Sequence, residues 1–381
     1  MANISSNPAT INPSPSFLTI PTKPHSPISH IFFPSSAPHL EPNVQPCQTL
    51  IVFVNGLGLP ASSWEPCIST FRSRVAESPS ILTFDRFGQG LTTARDPLDD
   101  GNGYGHDFMD AANDLHEIIL VIAKTKLGLQ RTEVENGNLS VIFVAASIGV
   151  PITRLYIQYH PSICSALLCL DSNIPNVNYS DFLPDPSSPS FDPSLVTAPD
   201  CTLAQYIGAR AALINTFDLA VPNSESMDRR HGPKLLPYAD RPKLVGVGGK
   251  GPWLTVVGHD PVTFADMSLE RMGTPRSMSM RFTNPYWATY NEGLVKVTDE
   301  GRCEGTKIAK GCGHFIQTDG PEFVAEEIRA ILEKLKLGGR KEPVMLFFIL
   351  VVFYLTFYMT PPYQKQRKHS IICSFSSSGH S

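Results

Sequence analysis

A chain of 381 residues, 42% hydrophobic and 17% charged, can bury a large core as one domain with an insertion or as two. Its formal net charge of −4 gives no electrostatic reason to bind nucleic acid. The 8 cysteines form no Cys-x-x-Cys pair and no zinc-type Cys/His cluster, so no metal is expected and reduced thiols suit a cytosolic setting. No apolar h-region follows a basic start, so the protein is not expected to be secreted.

Residues 1–46 are rich in Pro, Ser and Asn and poor in charge. Such composition is expected to give a disordered leader, because little of it can be buried. A folded core is expected over 47–171 and 241–339. Residues 49–54 form an apolar, β-branched run, as in a strand covered on both faces. Asn55-Gly56-Leu57-Gly58 closes it. The next strand, 81–84, ends in Asp85-Arg86-Phe87-Gly88-Gln89-Gly90. Over 106–127 the period becomes helical, with Leu115, Ile118, Ile119 and Ile122 on one face. Val141 to Ala146 is again apolar and ends at Ser147-Ile148-Gly149. That pattern reads as strand, sharp turn and helix, with the Ser147 hydroxyl at the apex. Residues 166–170 make a further strand ending at Asp171. Over 172–240 the alternation lapses, with a helix expected at 202–217, and this stretch is expected to be an inserted lid or cap. Strand 253–257 ends in Gly258-His259-Asp260. A weaker strand at 307–309 precedes Gly311-Cys312-Gly313-His314. An amphipathic helix is expected over 321–335, ended by Gly338 and Gly339.

Four of these pieces, in this order, resemble the α/β-hydrolase fold family. They are Asn55-Gly56-Leu57-Gly58, Asp85-x-x-Gly88-x-Gly90, Ala145-x-Ser147-x-Gly149 and Gly313-His314-Phe315. The resemblance covers about 49–336 and is to serine hydrolases of the AB hydrolase-1 type. It implies an α/β fold with a mostly parallel central sheet, flanking helices and an inserted lid. It also implies Ser147 as nucleophile and His314 as its base, with the backbone N–H groups of Leu57 and Ile148 as the oxyanion hole. A carboxylate must orient His314. Asp260, after strand 253–257, is the first choice; Asp171, after strand 166–170, is the alternative, and Asp266 is a more distant one.

The expected activity is cleavage of an ester or similar carbonyl substrate, a small molecule. Two alternatives stay open: a binding or receptor protein on the same fold, and acyl transfer or carbon–carbon cleavage by the same residues. No cofactor is expected, since Gly56 and Gly58 lack the Gly-Lys-Ser/Thr and ribose-binding acid of nucleotide sites. Oligomeric state leaves no mark in the sequence. Residues 340–381 form a tail whose 344–360 stretch carries no charge. At about 1.5 Å per residue it just reaches across a hydrocarbon core. It is therefore a candidate transmembrane helix that would anchor a cytosol-facing enzyme.

Overall fold

The computed structural model describes residues 13–36 and 47–339. The chain divides into two units at Lys334 and Leu335. Of the second unit only 335–339, the end of the last helix, is described. The candidate membrane span 344–360 lies outside the described residues. Among the described residues no helix is long and apolar enough to cross a membrane.

Eight strands form the sheet: β1 (Ser16–Ile20), β2 (Lys23–Phe33), β3 (Gln48–Val54), β4 (Ser80–Phe84), β5 (Leu139–Ala146), β6 (Cys164–Leu170), β7 (Trp253–His259) and β8 (Cys303–Ala309). Their spatial order is β1-β2-β4-β3-β5-β6-β7-β8. Every pairing from β4 through β8 is parallel. Among the described residues, only β1 with β2 and β2 with β4 run antiparallel. All of β6 and nearly all of β5 are buried. That burial explains their continuous apolar sequences, since helices cover both faces of such a sheet.

The principal helices are α1 (Glu65–Arg74), α2 (Phe108–Lys126), α3 (Gly149–Tyr159), α4 (Leu203–Phe217), α5 (Pro261–Met272), α6 (Asn284–Leu294) and α7 (Pro321–Gly339). Helix α2 starts at a capping box in which Asp107 accepts from the Asp110 backbone N–H and Asp110 accepts from that of Asp107. It buries Leu115, Ile118, Ile119 and Ile122 and packs against α3. Each such side chain contributes roughly 1.5–3 kcal/mol of burial. The long stretch between β7 and β8 is filled by α5 and α6. Between β6 and β7, α4 begins at the Thr202 cap and buries Tyr206, Ala209 and Leu213. These three join Leu183, Val196, Cys201 and Met278 in a small core of their own.

The expected disordered leader does not hold for residues 13–36. They form the β1–β2 hairpin, with Ile20, Ile28 and Phe33 buried. Composition misleads here because the prolines fall where the sheet tolerates them. The register of β2 with β4 covers only His30 to Phe33. Pro24 and Pro27 therefore lie outside that ladder, where a missing N–H costs little. The hairpin is also tied down by charge. Lys23 Nζ donates to Asp96 at 2.6 Å and to Asp114 at 2.7 Å, in a part-buried cluster. Burial raises the Asp114 carboxyl to about 6 even against the neighbouring Lys23.

Removing the ammonium leaves two largely buried carboxylates facing each other. Lys23→Ala is expected to lower the unfolding free energy by about 3–5 kcal/mol in urea denaturation. A loss below about 1 kcal/mol would show that the hairpin is a dispensable edge.

Candidate active site

Ser147 sits between β5 and α3 with φ of 51°, in the left-handed region. A serine there stores strain of order 1–3 kcal/mol and must be held by its surroundings. Its N–H donates to Leu170 O at 3.0 Å, and its carbonyl accepts from Val150 N at 3.1 Å. The tightness of the turn falls on Gly149. A Cβ there would stand 2.4 Å from Val54 O and 3.0 Å from Asn55 O. Ala145 is accommodated inside buried β5. Gly56 brings the preceding loop close: a Cβ on it would meet Ser147 Cβ at 3.4 Å.

His314 lies in the loop after β8. Its Nε2 is 3.0 Å from Ser147 Oγ, and its Nδ1 is 2.6 Å from Asp171 Oδ2. Hydroxyl, imidazole and carboxylate thus form one continuous relay. Asp171 directly follows β6, with φ of 42°, and its side chain is fully buried. The strands fix its place. Leu170 O accepts from Ser147 N, and Asp171 N donates to Val257 O at 2.8 Å. The Asp171 carboxyl is held down at about 2: burial pushes it up, but the two histidines it accepts from outweigh that.

Asp260, the first choice from sequence, is not brought to His314. Its carboxylate accepts from Val262 N at 3.0 Å, Thr263 N at 3.2 Å and Gly311 N at 3.2 Å. It caps α5, whose first residue is Pro261. The Asp-Pro pair at a helix start is itself a capping signature, and it distinguishes this carboxylate from Asp171 in the sequence alone. Asp266 pairs with Arg276 at 2.8 Å on an exposed face.

Leu57 and Ile148 line the same cavity as Ser147 and His314. The loop carrying Leu57 is held by a buried polar network. Asn55 Nδ2 donates to Phe84 O and to Gln89 Oε1, both at 2.9 Å, and Asn55 Oδ1 accepts from Trp64 Nε1 at 2.6 Å. Arg86 donates to the carbonyls of Asn55 at 2.7 Å and Gly56 at 3.0 Å. Glu225 pairs with Arg86 at 2.9 Å and accepts from Gly58 N at 2.6 Å. Asn55 therefore shapes the loop. Asp85 is structural, accepting from Ala61 N at 2.6 Å and Leu91 N at 2.9 Å. Sequence reasoning missed Arg86 and Glu225, which are 139 residues apart, and it missed His259, described below.

The cavity above Ser147 has a volume of about 300 Å³. Val177, Phe182, Leu213, Phe217, Phe264 and Trp287 make most of its wall apolar.

The alpha/beta hydrolase family matches residues 51–327. The chain belongs to that family. Hydrolase, the enzyme class implied by the sequence, is the class of this family. No curated protein matches the chain. Among solved structures, a peroxisomal alpha-beta-hydrolase from Saccharomyces cerevisiae is similar at 13% identity and a TM-score of 0.48, over 91% of this chain and 98% of that one. A soluble variant of monoglyceride lipase from the same yeast is similar at 14% identity and 0.47, over 88% and 98%. A Vigna radiata epoxide hydrolase mutant is similar at 14% identity and 0.47, over 85% and 99%.

The charge on Asp171 has a stability signature. Its folded pKa, about 2, lies below the unfolded value of about 3.9. The stability it contributes is present above about pH 4 and is lost as pH falls through 2. Between pH 4 and 2 the wild type is therefore expected to lose unfolding free energy more steeply than Asp171→Asn. Equal slopes in urea titrations across that range would contradict the buried ionised carboxylate.

Proposed function

We propose that the protein is a serine hydrolase that cleaves an ester or similar carbonyl compound. The observation that carries this reading is the unbroken relay from Ser147 Oγ through His314 to Asp171. His314 Nε2 takes the hydroxyl proton as Oγ attacks the carbonyl carbon. Asp171 holds the Nδ1–H tautomer and stabilises the imidazolium that forms. The negative charge moves to the former carbonyl oxygen, where the N–H groups of Leu57 and Ile148 receive it. Such donors are each worth roughly 3 kcal/mol of barrier. His314 then returns the proton to the leaving group, leaving an acyl-enzyme on Ser147 that water hydrolyses by the same steps.

In this reading Asp171, rather than Asp260, is the acid of the relay. Its hydrogen bond to His314 supports turnover over a purely binding role. The apolar cavity of about 300 Å³ supports a small-molecule substrate with a hydrocarbon or aromatic portion. Segment 172–240 acts as the cap: it supplies Val177, Phe182, Leu213 and Phe217 to the cavity wall.

A fluorophosphonate probe is expected to label the protein, and Ser147→Ala is expected to abolish labelling. No labelling of the folded wild type would overturn the proposal. The two carboxylates separate in turnover of p-nitrophenyl esters. Asp171→Asn is expected to lower kcat by about 10³–10⁴-fold. Asp260→Ala is expected to leave kcat within about threefold while costing roughly 1 kcal/mol of stability through the lost cap. The reverse pattern would return the acid to Asp260.

A further inference from the structure

The buried Asp171 carboxylate serves two imidazoles. His314 Nδ1 takes Oδ2, and His259, the last residue of β7, sets its Nδ1 2.8 Å from Oδ1 and 3.0 Å from Oδ2. The His259 backbone N–H also donates to Oδ1 at 3.2 Å. On the far side of the ring, His259 Nε2 is 3.1 Å from Asn284 Oδ1. The amide orientation of Asn284 is fixed, because its Nδ2 donates to Pro261 O at 2.9 Å. Flipping that amide would set its oxygen against the Pro261 carbonyl, two acceptors in contact.

Nε2 of His259 therefore faces an acceptor, and Nδ1 faces an ionised carboxylate. Both nitrogens must donate, and an imidazole with two N–H groups is a cation. We infer that His259 is held as a buried imidazolium and is a positioning residue for the proposed relay, sharing the Asp171 carboxylate with His314. The inference rests on the serine-hydrolase reading for its catalytic part, whereas the charge of His259 stands on the hydrogen bonds alone.

The surroundings agree. The charged groups facing His259 are Asp171 from the end of β6 and, one residue on, Asp260; Asn284 comes from α6, and Phe264 of α5 stacks on the ring at 4.1 Å. Burial lowers the pKa of His259, but Asp171 overcomes it, and the net direction is upward. A carboxylate paired with one cation has less charge left to stabilise a second.

The charge is tested by ¹⁵N NMR of the histidine rings in the full chain, with His259 assigned by its loss in His259→Gln. Both ring nitrogens of His259 are expected to be protonated at pH 7. A singly protonated ring at pH 7 would overturn the inference. The catalytic part is tested by the acidic limb of kcat/KM, which reports the free-enzyme base. In His259→Gln, which removes the charge, that limb is expected to rise by about 0.5–1 pH unit. An unmoved limb would overturn it. Should that variant not fold, Asn284→Leu removes the acceptor for Nε2 without touching Asp171. It is expected to release the Nε2 proton and raise the limb likewise, and a retained proton with an unmoved limb would refute the inference. If the wild type takes no fluorophosphonate label, the hydrolase reading fails, while the NMR result still decides the charge of His259.

Discussion

A carboxylate buried away from water must be surrounded by donors, and the site of this protein is organised around that constraint at Asp171. Its oxygens receive the Nδ1 of His314, the Nδ1 of His259 and the backbone N–H of His259. These donors come from the end of β7 and from the loop after β8, while Asp171 itself extends β6. One side chain thus ties three neighbouring strand ends together. The parallel sheet makes this possible by bringing those ends to one edge, where ligands of such folds gather. Neither Ser147 nor His314 could keep its geometry if β6 slipped against β7, because Asp171 N is itself bonded to Val257 O.

The opposite wall of the site obeys a steric constraint and an electrostatic one. Gly149 lets α3 approach the carbonyl of Val54 more closely than any side chain would allow. The loop after β3 is then fixed from outside by Arg86 and Glu225, both buried. Glu225 belongs to the long excursion between β6 and β7, yet it accepts directly from Gly58 N. The shape of the proposed oxyanion loop therefore depends on a residue contributed by the segment that also walls the cavity. Displacing that segment would leave Arg86 without its counter-ion, a costly state in a buried place.

How much of this was legible in the sequence follows from the same physics. Strands β3 to β7 were readable because burial on both faces demands unbroken apolar runs. Ser147 and His314 were readable because tight loops demand small neighbours. The β1–β2 hairpin was hidden by prolines that lie beyond its ladder with β4. Strand position did not separate Asp260 from Asp171, since both end strands beside the site. In the fold Asp260 caps α5, which starts at Pro261. His259 was invisible because a lone histidine carries no sign of its partners. Its meaning appears only when Asp171 and Asn284, separated from it by 88 and 25 residues, arrive at its two nitrogens.

A second histidine on the relay carboxylate changes the charge balance of the site. With only Asp171 and a neutral His314, the resting site would hold an uncompensated buried anion, which burial strongly disfavours. His259 as imidazolium makes the resting site neutral. In the proposed reaction the proton moves from Ser147 to His314, and the new negative charge appears on the substrate oxygen beside Leu57 and Ile148. Two anions then face two cations, so the site is neutral at that stage too. The arrangement stabilises the buried carboxylate before substrate arrives. Its cost is that part of the carboxylate's attraction is spent on His259 rather than on the imidazolium formed during catalysis.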